Sequence, residues 1–141
     1  MAAINKKRVL LGALVGGVVW NVWSMVVHTV ILAPRYQAAQ QSGHLLSAPR
    51  YGLFMPIWML SLFVLAFIVA KFYAALRGVC GAGPMTAISV GLMIAFAAGF
   101  PENFASAAWT PVSRWLPFWW ALDMGVGAVA AALCAGWLYK D

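Results

Sequence analysis

Four long apolar runs, at 9–32, 52–76, 85–109 and 115–139, leave this chain few ways to fold. The first holds 24 residues without a formal charge. A helix needs about 20 apolar residues to cross a bilayer. Inside lipid every backbone N–H and C=O must be satisfied internally, which a helix does segment by segment. The expected fold is therefore all-α, a four-transmembrane-helix bundle forming one integral membrane domain over residues 1–141. Composition agrees, with 65% hydrophobic and 9% charged residues and a mean hydropathy of +0.88. A soluble domain carries roughly 25% charged residues. One of this size could not hide so much apolar surface, because much of a small domain stays wet. The lipid bilayer is the expected partner.

The first run is too long for the ~7–15-residue core of a signal peptide, and Pro34 follows the one small-residue site at Ala33. It reads as a retained helix. Residues 33–51 read as a polar loop, 78–84 as a tight glycine-rich turn and 110–114 as a short connection. An even number of spans puts both termini on one side. If that side is cytoplasmic, it carries Lys6, Lys7, Arg8, Lys71, Arg77 and Lys140, and the outside carries Arg35, Arg50 and Arg114. Positive residues concentrate inside, so both termini are expected in the cytoplasm, with two helical hairpins oriented parallel to each other. Tyr36, Tyr51, Trp109, Trp115, Trp119 and Trp120 crowd the outer boundary, as amphipathic rings do at headgroup level. The net charge of +6 is scattered between apolar runs, so a nucleic-acid partner is not expected.

Membrane helices associate through small residues that let backbones approach. The first run has Gly12, Gly16 and Gly17. The third has Ala87, Gly91, Ala95 and Gly99. The fourth has one stripe of Gly127, Ala131 and Ala135 and a second of Ala128, Ala132 and Gly136. The second run is bulky nearly all round, with Leu60, Leu62, Phe63, Leu65, Phe67 and Ile68. The expectation is a tight core of the first, third and fourth helices, with the second facing more lipid. Extra bulk at Ala66 should then matter less than at Gly91 or Gly99.

Ionisable residues inside membrane helices are rare and usually functional. Here they are His28, Glu102 and Asp123. At about 1.5 Å per residue, Glu102 and Asp123 lie about 12 Å below the outer surface and His28 about 9 Å. Three helices thus place a titratable group in one layer. Asn21, Ser24 and His28 share a helix face, as residues three and four apart do. Glu102 sits beside Asn103 and Ser106, and Asp123 extends the stripe of Gly127. Pro101 removes the N–H that the carbonyl of Ala97 would accept. The candidate polar cluster is Asn21, Ser24, His28, Glu102, Asn103, Ser106 and Asp123. Carboxylates with a histidine suit a cation or a proton relay. They also suit a divalent metal, but no known ligand spacing is present, and no metal or other cofactor is expected. The alternative is a structural network, in which an acid pairs with Arg35, Arg50 or Arg114.

Those three arginines form an outer basic rim. Ala33-Pro34-Arg35-Tyr36 recurs letter for letter as Ala48-Pro49-Arg50-Tyr51, and Asn21-x-x-Ser24 is echoed by Asn103-x-x-Ser106. Helix ends, snorkelling arginines and belt tyrosines account for the first repeat; a rim for anionic headgroups is the sharper reading. For the second echo, chance stands beside a parallel internal repeat of the kind found in transporters.

Gly81-Ala82-Gly83-Pro84, Gly99-Phe100-Pro101-Glu102-Asn103-Phe104 and Ala135-Gly136-Trp137-Leu138-Tyr139 resemble segments of small four-helix bacterial inner-membrane proteins of unknown function. The resemblance implies a multi-pass protein of the bacterial plasma membrane and no particular activity. Small multidrug transporters share the size and span number, but they depend on a carboxylate in the first helix, and this first helix has none. No nucleophile–base pair or cofactor motif appears, so an enzyme is not expected. The first expectation is an accessory or scaffold subunit of a membrane complex, partnered by other subunits or by itself. The alternative is a small transporter or channel handling protons or cations through the polar cluster.

Overall fold

The computed structural model describes residues 4–139. Lys140, one of the basic residues assigned above to the inner side, lies outside the described residues. Helix α1 spans Lys6–Val26 and runs on into a π-helical turn at Val27–Ile31. Then follow α2 (Ala33–Gln41), α3 (Phe54–Cys80), α4 (Pro84–Trp109) and α5 (Trp115–Leu138). No strand occurs among the described residues. Four helices, α1 with its π turn, α3, α4 and α5, are long and apolar enough to cross a membrane.

Local chemistry sets the boundaries. The Asn5 side chain caps α1 by accepting the Arg8 N–H at 3.2 Å, which satisfies one of the orphan donors of the first turn. Helix α3 runs four residues past the end expected from its apolar run and stops at Gly81, whose φ of 88° suits a residue without a Cβ. Pro84 then opens α4, where its missing N–H costs nothing. Residues 33–41, expected as part of a polar loop, are helical instead. Pro34 stands in the first turn of α2, and the helix ends at Gly43 (φ 75°), where the His44 N–H bonds the Ala39 carbonyl. Ala39 is buried with Val27, Leu32, Val112 and Leu116. A short helix of polar composition is thus held by one apolar face.

Helix α5 is the centre of the bundle and packs against α1, α3 and α4. A Cβ built on Gly12 would lie 3.0 Å from the Ala135 Cα, and one on Gly16 3.0 Å from the Ala131 carbonyl oxygen. The two helices therefore run antiparallel where they touch, with backbones separated by little more than an alanine methyl. Gly91 faces Val129 and Gly99 faces Met124 in the same way, joining α4 to α5. The small stripes read from the sequence are the surfaces that pack.

Their expected grouping needs correction. Helices α1 and α4 do not form a packed pair; both pack on α5. Helix α3 packs strongly on α1 and buries Leu62, Ala66, Val69, Ala70, Tyr73 and Ala74. Its bulk is what fits: the Phe63 ring occupies the space that a side chain on Gly17 would need, and Tyr73 covers Gly136. The most outward-facing span is α4, 28% buried against 33% for α3. At one end of the bundle the chain ends meet. The Asn5 N–H donates to the Tyr139 hydroxyl at 2.8 Å, and Arg77 donates to the Tyr139 carbonyl at 2.8 Å.

Ala66, expected to tolerate bulk, is 1% exposed. Ala66→Leu and Gly91→Leu should therefore both lower stability in detergent by about 1–3 kcal/mol, the usual range for overpacking. A Cβ on Gly91 would already lie 2.6 Å from the Val129 Cα. Gly125→Ala is the control, since nothing lies within 4 Å of a Cβ there; it should be neutral or stabilising. Thermal unfolding of the three variants checks this ordering.

Candidate functional site: a cavity with one polar row

In the half of the bundle remote from the chain ends, a cavity of about 980 Å³ opens among α1, α3, α4 and α5. All seven residues of the sequence-defined polar cluster, Asn21, Ser24, His28, Glu102, Asn103, Ser106 and Asp123, line it. Helix α2 and the loop after it border the same space through Tyr36, Gln40 and residues 48–51. Gln40 holds that loop by donating to the Leu46 carbonyl at 3.2 Å. Most of the remaining wall is apolar, with Met55, Trp58, Met59, Leu62 and Met124.

The inner wall is a bonded row. Asp123 is 1% exposed. Its Oδ2 accepts the Ser24 hydroxyl at 2.8 Å and faces His28 Nε2 at 3.2 Å. The other ring nitrogen, Nδ1, lies 2.6 Å from the Tyr36 hydroxyl, which also accepts the Trp120 Nε1–H at 2.7 Å. The Asp123–His28–Tyr36–Trp120 sequence of contacts thus links α5, the π turn, α2 and α5 again. Among the described residues Asp123 Oδ1 has no hydrogen-bond partner, and neither do the buried indole N–H groups of Trp20 and Trp23. The Trp20 indole fills the space above Gly127, one turn along α5 from Asp123.

The π turn positions the histidine. Val27, Thr29, Val30 and Ile31 are β-branched, and Pro34 cannot donate back to the preceding turn; the chain takes one wide turn, closed by Leu32 N–H to Val27 C=O at 2.8 Å. Single π turns inside α-helices are rare and frequent at functional sites. The two Asn-x-x-Ser segments also behave alike. Asn21 Nδ2 donates to the Gly17 carbonyl at 2.8 Å and Asn103 Nδ2 to the Gly99 carbonyl at 2.7 Å. Each echo therefore has a glycine one turn earlier, and each asparagine lies on the cavity wall.

Glu102 stands apart. It is exposed on the α4 side of the cavity and makes no hydrogen bond or ion pair among the described residues. The two carboxylates and the histidine do not gather: no three His, Cys, Asp or Glu side chains among the described residues converge as a metal site. The salt-bridge alternative is not what holds Asp123. Its ionisable partner is His28, and none of the exposed Arg35, Arg50 and Arg114 pairs with either acid among the described residues. Arg50 borders the cavity, while Arg35 and Arg114 do not.

Sequence reasoning missed Tyr36 and Trp120 as members of the row, placing both in the outer belt. The doubled Ala-Pro-Arg-Tyr was the available signal, since both of its tyrosines, Tyr36 and Tyr51, line the cavity. Burial and the negative Asp123 nearby push the Tyr36 phenol up to about 12, opposed by the Trp120 N–H bond to its oxygen. No family model, characterised protein or solved structure matches this chain.

Two outcomes follow for Tyr36. Tyr36→Phe leaves the Trp120 N–H and His28 Nδ1 without their shared partner and should cost about 1–3 kcal/mol of unfolding stability. A phenol whose folded pKa is raised adds stability below pH ~10 that is lost as pH rises toward 12. Tyrosinate absorbance should show a late-titrating phenol in the wild type, missing from Tyr36→Phe.

Proposed function

We propose that this chain is a multi-pass protein of the bacterial plasma membrane that acts as a small transporter for protons or cations through the cavity that carries the polar row. Both termini lie in the cytoplasm, the two hairpins α1–α3 and α4–α5 run in the same sense, and the cavity opens in the outer leaflet. The observation that carries the reading is the bonded row on the cavity wall. A buried carboxylate, an imidazole and a phenol stand in sequence at 3.2 and 2.6 Å, each able to take up and pass on a proton. Such intramembrane groups usually mark ion and proton pathways. A purely structural role leaves without a purpose the large open cavity and Glu102, which has no partner among the described residues.

A second reading, the accessory or scaffold subunit, is favoured by the outer face of α4. There Phe96, Phe100 and Phe104 are exposed and stacked at 5.0 and 5.6 Å between centroids. A partner helix seated on these rings would bury the least covered span of the bundle. Recovery of a stoichiometric membrane partner in mild detergent, lost on Phe100→Ala, would favour this reading.

The transporter reading is checked in proteoliposomes with an internal pH dye. A K⁺ or Na⁺ gradient, or an imposed potential, should drive proton movement through the wild type. Asp123→Asn should reduce it by roughly 10², the low end of what a positioned proton carrier contributes. No proton movement above protein-free vesicles under any of these gradients would overturn the reading.

Topology has its own test. Cys80 is exposed at the α3–α4 turn. A membrane-impermeant maleimide should label it only after the cells are permeabilised; labelling in intact cells would reverse the orientation and move the cavity to the inner leaflet.

A further inference from the structure

The cavity is far larger than its polar row needs. A proton needs no volume, and a dehydrated metal ion needs a few ångströms and a converging ligand set, which is absent among the described residues. About 980 Å³ lies instead at the upper end of the range for pockets that hold drug-sized organic ligands. The wall composition narrows the class. Met55, Met59, Leu62 and Met124 supply adaptable apolar surface, of the kind that accepts varied shapes. Aromatic rings interleave with them. Trp58 stacks on Phe54 at 6.2 Å between centroids and meets His28 edge-on at 6.4 Å. All three line the cavity.

Two acidic groups share that apolar space. Among the described residues Glu102 has no hydrogen-bond or ion-pair partner, and Asp123 is 1% exposed with Oδ1 unbonded. An apolar cavity containing aromatic faces and an unpaired carboxylate attracts a positive charge carried on an apolar body. The ring quadrupoles add cation–π attraction to the Coulomb term. Arg50 borders the same cavity, on the loop after α2, and would repel a cation approaching along that edge. The α4 wall, where Glu102 stands, faces it without a basic residue: between Pro84 and Trp109 the chain has no Lys, Arg or His.

We propose that the cavity binds an amphipathic organic monocation, with its apolar body among the Met55–Met59 and Trp58 surfaces and its charge beside Glu102. The proposal rests on the transporter reading and names its substrate class. The Asp123–His28–Tyr36 row is then the proton-carrying side of the same cavity and Glu102 the cation-holding side. Among the described residues Glu102 makes no hydrogen bond or ion pair with the row.

Two probes of almost the same shape and opposite charge test this without any mutation. Purified full-length protein is titrated with tetraphenylphosphonium and, separately, with tetraphenylborate, following tryptophan fluorescence. Trp58 and Trp120 on the cavity wall report occupancy. The phosphonium should bind saturably and the borate at least tenfold more weakly. Glu102→Gln should weaken phosphonium binding about tenfold and leave thermal stability unchanged, because Glu102 holds no partner among the described residues. Equal binding of both ions, or unsaturable partitioning of the phosphonium, would overturn the substrate class. So would a Glu102→Gln variant that binds as tightly as the wild type. The proton-movement assay separates this failure from the deeper one. Proton movement that depends on Asp123, without phosphonium binding, removes the organic cation and keeps the transporter. Loss of both removes the transporter as well.

Discussion

The close approach of α5 to α1 is the constraint on which the rest of the structure depends. Gly12 and Gly16 meet Ala135 and Ala131 with less than an alanine's width between backbones. Lipid offers helices no hydrophobic driving force toward each other, so contact area and close packing must hold them together. A glycine face against an alanine face gives the largest contact for the least side-chain ordering. Once α1 and α5 are this close, their polar residues are close too. Ser24 reaches Asp123 at 2.8 Å across the same seam, two turns beyond Gly16. The seam is apolar and tight toward the chain ends and polar toward α2.

The seam also explains why a cavity exists. Helix α4 packs on α5 through Gly91 and Gly99, and α3 packs on α1 through Phe63. Helices α1 and α4 do not pack on each other, so α3 and α4 flank the α1–α5 pair and are tied directly by the short turn at Gly81. Beyond that turn the cavity lies between them, with α5 and α1 as its floor. Helix α2 and its loop border the opening. The Tyr36 hydroxyl, bonded to Trp120 and beside His28, fastens this border to the floor. His28 is one contact from the buried carboxylate and Tyr36 is two.

Much of this was legible in the sequence, for physical reasons. Apolar runs near 20 residues have one stable form in lipid, so the four long helices followed from length alone. Small residues one turn apart marked the packing stripes because bulk cannot occupy those positions. Depth along each run put His28, Glu102 and Asp123 in one layer, because rise per residue is fixed; the structure joins His28 to Asp123 and leaves Glu102 outside that row. What failed was partner choice. The bulk of α3 was taken as a lipid face, yet Phe63 needs the glycine at 17 and Ala66 lies at the centre of a packed stripe. Stripes show which face packs and not which helix it meets. Helix α2 escaped notice because Pro34, Arg35 and three glutamines read as loop, and Ala39 is its only buried residue. The π turn at His28 had no local signature beyond β-branched residues and a following proline, and the doubled Ala-Pro-Arg-Tyr marked Tyr36 without pointing to Trp120 as its partner.

The α1–α5 seam is tested most directly with paired cysteines at Gly16 and Ala131, in a chain whose Cys80 and Cys134 are replaced by serine. A Cβ at 16 would lie 3.1 Å from that of Ala131, near the ~3.5–4.5 Å Cβ separation of a disulfide. Mild oxidation in native membranes should give an intramolecular disulfide in nearly every chain, seen as faster gel migration without a dimer band. Cross-links only between two chains, or none at all, would contradict the seam, and with it the floor of the cavity and the placement of Asp123.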